Sequence, residues 1–197
     1  MTDELLLELA AAAAPWVVDH GLDYEEAKRK AAQQLGCGRG APRPSHLQVE
    51  AAVREHLELF HADTQPEELA QLRRLALRWM ARLAPFRPHL AGAAWRGTAT
   101  RHSPLLIELY TDDPKAVEIE LINQGVPFDT AERRVAGRRE PIPLLGLQVP
   151  SREWGHTVPV EISVMNHDDL RGALLPDEQG QSWRGSLDRL QALMEAP

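Results

Sequence analysis

A chain of 197 residues is one domain of ordinary size, or one domain carrying a substantial extension. Lys and Arg total 22 against 29 Asp and Glu, a net charge of −7, so the surface as a whole repels a phosphate backbone. Hydrophobic residues at 43% and charged residues at 26% exclude a mainly disordered chain. The single cysteine, Cys37, excludes an internal disulfide framework and a multi-cysteine metal cage. The longest apolar tract, Leu9 to Val18, falls well short of the ~18 residues of a membrane span. The chain opens Met-Thr-Asp-Glu, with no basic segment of a secretory signal. A protein of a reducing, cytoplasmic compartment with no membrane contact is expected.

The first half reads as helices. One is expected near Asp3–Ala14, with Pro15 marking a break. Asp23-Tyr-Glu-Glu26 opens a second, which Gly36 stops. Gly36 to Pro44 is a Gly/Pro linker. Ser45-x-x-Gln48 opens a third, with Val49, Ala52, Val53, Leu57 and Phe60 at helical spacing. Thr64-x-x-Glu67 opens a fourth, with Leu69, Leu72, Ala76, Trp79 and Leu83 on one stripe, ended by Pro85 and Pro88.

The period changes from about His89. His89–Gly92 is a short apolar run, and Leu105–Tyr110 is a strand bounded by Pro104 and the Asp112-Asp113-Pro114 breaker. Asp113 and Pro114 form a cap and first-turn pair for a helix through Ile122, which stops at Gly125. Three more strands are expected at Val126–Val135, Ile142–Val149 and Val158–Met165, and a closing helix carries Leu187, Leu190 and Met194. The predicted fold is α+β: a helical N-terminal lobe over residues 1–84, then a small mixed β-sheet with flanking helices over 85–197.

Gly92-Ala-Ala-Trp-Arg96-Gly97-Thr98-Ala99-Thr100-Arg-His-Ser103 follows one apolar strand and precedes another. This stretch of the α/β lobe resembles the signature of the nucleotidyltransferase superfamily, the DNA polymerase β-like fold, and in particular its minimal members. That resemblance implies a hydrophobic strand, Gly-Ser, Arg-Gly-Thr-Ala and then Ser-Asp-x-Asp entering the next strand. The family uses Gly to let the backbone approach a triphosphate, Ser to hold a phosphate oxygen, and carboxylates to grip two magnesium ions. Gly92, Arg96, Gly97, Thr98 and Ser103 match, and are the nucleotide-binding residues the resemblance implies. Ala93 stands where the Ser belongs, and Pro104 and Leu106 replace the two metal-binding aspartates. No metal ligand remains at the family's usual positions.

Strand alternation puts Pro104, Leu106, Glu108 and Tyr110 on one face. Two readings follow. In the first, two-metal catalysis is lost and the protein is a binding or regulatory module, with no certain cofactor and a protein partner on the helical lobe. In the alternative, an active enzyme transfers NMP from an NTP through a relocated magnesium site of Glu108, Asp112 and Glu161, Glu161 matching the family's third carboxylate. A nucleic-acid reader built on the central helices is a third possibility, opposed by the acidic balance. The oligomeric state and the acceptor are not fixed by the sequence.

Other residues carry quieter expectations. Arg133, Arg134, Arg138 and Arg139 read as a solvated hairpin tip. The eight histidines show no His-x-x-x-His or His-Glu-x-x-His spacing, so His56 and His61 are expected as surface or packing residues. Trp95, inside the Gly-rich turn, is expected to block the nucleotide pocket.

Overall fold

A computed structural model describes residues 2–38, 40–135 and 137–195; Arg39 of the linker and Ala136 of the hairpin tip lie outside the described residues. The chain divides into two compact units, one of Met1–Leu69 with Gly97–Ser103 and the other of Ala70–Arg96 with Pro104–Pro197. The chain therefore crosses between units at Leu69–Ala70 within the fourth helix, goes back at Arg96–Gly97 and crosses again at Ser103–Pro104.

The first unit contains α1 (Thr2–Val18), α2 (Tyr24–Gln34), α3 (His46–Phe60) and the first turn of α4 (Gln65–Arg82). The caps read from sequence are present. The Asp23 carboxylate accepts from the Glu26 N–H, and Ser45 and Gln48 form a reciprocal capping box. Leu9, Ala13 and Val17 of α1 pack with Ala27 and Ala31 of α2 and with Val49, Val53 and Leu57 of α3. Helix α1 corrects one expectation, because it runs through Pro15 to Val18. Val17 and Val18 are both buried, and their burial outweighs the helix bond that Pro15 cannot donate.

The second unit holds a six-stranded mixed sheet in the order β3-β4-β5-β2-β1-β6. The strands are β1 (His89–Ala91), β2 (Leu105–Tyr110), β3 (Asp129–Arg133), β4 (Ile142–Pro150), β5 (Thr157–Met165) and β6 (Arg184–Ser186). Only β2 and β5 run parallel; the other neighbours are antiparallel. The short helix α5 (Gly92–Arg96) replaces the expected open turn, and α6 (Pro114–Asn123) is capped by Asp113 as expected. The expected strand Val126–Val135 shrinks to β3, which starts two residues beyond Pro127 and is exposed along its whole length. Helix α7 (Leu170–Ala173) and strand β6 carry no sequence signal of their own, being four and three residues long. Helix α8 (Leu187–Glu195) closes the chain.

Register sorts the sheet into two unlike faces. Leu90, Leu105, Ile107, Leu109, Leu145, Leu147, Val160, Ile162 and Val164 share one face, and all are buried. Leu72, Leu75, Trp79, Met80 and Leu83 from α4 and its end, with Val117 and Leu121 of α6, add to the interior of this unit. The opposite face carries His89, Leu106, Glu108, Tyr110, Glu161, Ser163 and Arg184. Among the described residues, no helix is long and apolar enough to cross a membrane.

Replacing Pro15 by Ala restores a backbone donor inside α1 without emptying the core. That variant is expected to be more stable by about 1–3 kcal/mol, read as a raised urea midpoint at unchanged slope.

Candidate functional site

The polar face of the sheet begins at the end of β1, where Gly92 starts α5 with φ +64. A side chain there would be strained, and a Cβ would also lie 2.8 Å from Cδ1 of Leu106. Leu106 therefore lies against the glycine backbone from the adjacent strand.

Arg96, the matching arginine at the end of α5, is turned inward. Its Nη1 lies 2.9 Å from Asp177 Oδ2 with both side chains almost fully buried, and its guanidinium stacks 4.3 Å from the Trp183 ring centroid. Burial works against ionisation of Asp177, but N–H groups of Gln181 and Gln179 and the charge of Arg96 outweigh it and hold the carboxyl below its usual range. Trp95, expected to block the nucleotide pocket, packs against β6 and the residues before it. Its indole donates to the Ser182 carbonyl at 2.8 Å, and a Cβ on Gly185 of β6 would stand 2.1 Å from the ring. Glycine at 185 is thus what lets the strand pass the indole. Arg73 closes the other end of α5, donating to the carbonyls of Ala94 at 3.0 Å and Trp95 at 3.3 Å.

The remaining matching residues, Gly97, Thr98 and Ser103, belong to the helical unit. Gln65 donates to the carbonyls of Gly97 and Ala99, each at 3.1 Å. The Thr100 hydroxyl donates to the Val18 carbonyl at 2.8 Å, and the Ser103 hydroxyl accepts from the Thr100 N–H at 3.0 Å. Thr98 is buried, as are Thr100 and Ser103. Ser103 closes a turn, and the loop is tied down by side chains of its own unit.

The three expected carboxylates lie on or next to the central strands but do not converge. Glu161 pairs across the β2–β5 ladder with Leu106, while Glu108 pairs with Ser163, an offset of two residues or about 6.6 Å along the strand. Asp112 lies beyond the end of β2, accepting from the His167 N–H at 3.0 Å. Among the described residues, no donor trio on this sheet places ligand atoms within 4.8 Å of one another. Each sheet carboxylate is also already held by a cation. Arg184 reaches Glu108 through Nε at 2.6 Å and Nη2 at 3.3 Å, and the Tyr110 hydroxyl donates to the same carboxylate at 2.6 Å. Arg133 lies 3.3 Å from Glu161 and donates to the Ser163 hydroxyl at 3.1 Å. A magnesium ion needs oxygens at about 2.0–2.1 Å in near-octahedral array, so this arrangement does not fit the family's two-metal set.

Of the four arginines expected at a solvated hairpin tip, Arg133, Arg134 and Arg139 are exposed and Arg138 is half-buried, but two of them also make ion pairs. Arg133 folds back onto β5, and Arg138 pairs with Asp169 at 2.5 Å. Sequence spacing could not show either contact, since the partners lie 28 and 31 residues away.

Burial pushes the Tyr110 phenol strongly upward, with the charge of Glu108 and the bond to it adding to the shift. His89 sits edge-on to Tyr110, ring centroids 5.1 Å apart, with Nδ1 3.0 Å from the Arg87 carbonyl. Burial lowers its pKa; the Arg87 carbonyl and Glu108 act in the opposite sense, and Arg184 lowers it further.

No protein-family model matches the sequence, and no curated protein matches it. Solved structures are similar to parts of it. Cid1 poly(U) polymerase with MgGTP bound matches over 50% of this chain and 32% of that chain, at 16% identity and TM-score 0.36. A cytoplasmic RNA terminal U-transferase matches over 61% and 40%, at 21% identity and TM-score 0.38. A further Cid1 structure matches over 55% and 34%, at 21% identity and TM-score 0.37. The chain spans about a third to two fifths of the length of these solved chains.

Two outcomes follow from the charge pairs. Arg184→Met leaves a largely buried Glu108 without its cation and should cost about 2–4 kcal/mol, whereas Arg133→Met at the more exposed Glu161 should cost under about 1 kcal/mol, both measured by urea unfolding. For His89 the fold favours the neutral ring, so its contribution is present above the unfolded pKa of about 6.5 and lost as pH falls below it. The drop in stability between neutral pH and about pH 5 should therefore be smaller in His89→Gln than in the parent.

Proposed function

We propose that this protein is a nucleotidyltransferase-fold module that has lost two-metal catalysis and works by binding or regulation. The observation that carries this reading is Leu106 packed against Gly92, an apolar group standing where the resemblance places both a metal ligand and the triphosphate's path. The ion pairs support it. Arg184 and Arg133 supply, from within the fold, the positive charge that two magnesium ions would otherwise bring to Glu108 and Glu161. A carboxylate already committed to an arginine must lose that pairing before it can ligate a cation. Arg96 is likewise committed, to Asp177 and Trp183. The function that remains for such a fold is recognition, and the helical lobe is the surface we assign to a protein partner.

The test is thermal unfolding with ATP, GTP, CTP and UTP, each with Mg²⁺ and with Mn²⁺, together with an assay for nucleotidyl transfer. No metal-dependent shift and no transfer are expected. A ligand at one hundred times its dissociation constant stabilises by about 2.7 kcal/mol, which moves the midpoint of a chain this size by about 5–10 °C. Such a shift with one nucleotide and Mg²⁺, together with transfer that Glu108→Gln abolishes, would overturn the reading in favour of an active, relocated site.

A further inference from the structure

Asp19, His56 and His61 meet in the helical unit and place one ligand atom each within 4.8 Å of the others. His61 Nε2 lies 3.1 Å from Asp19 Oδ1, and His56 Nε2 lies 3.7 Å from Asp19 Oδ2. Both rings thus present the same nitrogen, one to each oxygen of a single carboxylate. Four-coordinate zinc with ligand bonds of about 2.0–2.1 Å separates its ligand atoms by about 3.3–3.4 Å. The two observed spacings fall either side of that edge, each to a different oxygen of Asp19, and one ligand atom from each residue lies within 4.8 Å of the others.

The backbone positions of the donors are fixed by helix-end hydrogen bonds. The Asp19 N–H continues the ladder of α1 by donating to the Pro15 carbonyl at 2.9 Å. His61 caps α3, donating to the Leu57 carbonyl at 2.8 Å and accepting from Gln65 at 2.9 Å. Five residues separate the histidines, so an undistorted helix would point them about 140° apart. His61 leaves helical geometry at φ −133, and its ring centroid comes to lie 5.7 Å from that of His56. Phe60 packs on the other side of His56, with centroids 4.7 Å apart. Asp19 and the two rings remain partly exposed, which leaves an entry path and room for water.

We propose that Asp19, His56 and His61 form a binding site for a borderline divalent transition ion of the zinc type, with water completing the coordination. Two imidazoles and one carboxylate suit Zn²⁺ and its first-row neighbours, and disfavour Mg²⁺, which takes oxygen ligands. The site is separate from the sheet carboxylates and independent of the fate of catalysis there. Binding joins the end of α1 to the end of α3, so the ion would strengthen the helical unit.

Calorimetric titration of the untagged, chelator-treated protein with ZnCl₂ near neutral pH tests the site. One equivalent of Zn²⁺ is expected to bind and to raise the unfolding midpoint by about 5 °C or more at saturation, while Mg²⁺ gives neither effect. Asp19→Asn and His61→Gln should each weaken binding by about tenfold or more, since loss of a mere outer partner of a ligand costs that much. Co²⁺ in place of Zn²⁺ should give the visible absorption of a low-coordinate ion. Where a variant fails to fold by circular dichroism, selective broadening of the His56 and His61 ring signals by Co²⁺ in the parent protein serves instead. Absence of Zn²⁺ binding, equal affinity in the folded His56→Gln/His61→Gln variant, or broadening confined to other histidines would overturn the proposal.

Discussion

A sheet that buries one face must settle what its other face carries, and here that face carries charge in matched pairs. Ile107, Ile162 and Leu145 fall on one side of adjacent strands, so Glu108, Ser163 and their neighbours have to fall on the other. Burying a lone carboxylate is costly. Arg184 from β6 and Arg133 from β3 meet that cost from the two opposite edges of the sheet. The edges therefore stabilise the centre: β6 contributes only three residues of ladder but brings the cation for Glu108, and exposed β3 brings the cation for Glu161.

The sequence-encoded parts of this fold are those in which cause and effect lie within one turn or one strand. Asp23, Ser45 and Asp113 act on N–H groups three residues away, and each cap appears where its spacing places it. Alternation along Leu105–Tyr110 likewise assigns Glu108 to its face without knowledge of any partner. What escapes is set by distant partners. Pro15 reads as a break because proline disfavours a helix interior locally, whereas Val17 and Val18 are held by packing that periodicity does not price. Strand β6 is too short to show a period, and its reason for being there, the passage of Gly185 over Trp95 and of Arg184 to Glu108, spans the length of the second unit.

The metal-type trio shows the same limit from the side of function. His56 and His61 are five apart, outside the His-x-x-x-His spacing of two ligands on one helix face but within the three to five intervening residues that zinc sites use. Only the departure of His61 from helical geometry, and the arrival of Asp19 from the end of another helix, bring the donors together. Scattered histidines are therefore weak evidence against a site whenever one of them caps a helix.

The Gly92–Ser103 motif closes the same argument from the other direction, since its matching residues can persist for structural reasons alone. Gly92 is needed where φ is positive and Leu106 lies close; Arg96 is needed to neutralise Asp177; Ser103 is needed to close its own turn. The chain passes between the compact units at Leu69–Ala70 within α4, at Arg96–Gly97 and at Ser103–Pro104, so the motif contains or borders two of the three crossings. Each of these roles constrains the same residues that phosphate binding would constrain, with no phosphate involved. Leu106, at one of the positions where the resemblance expects an aspartate, is itself held in contact with the Gly92 backbone.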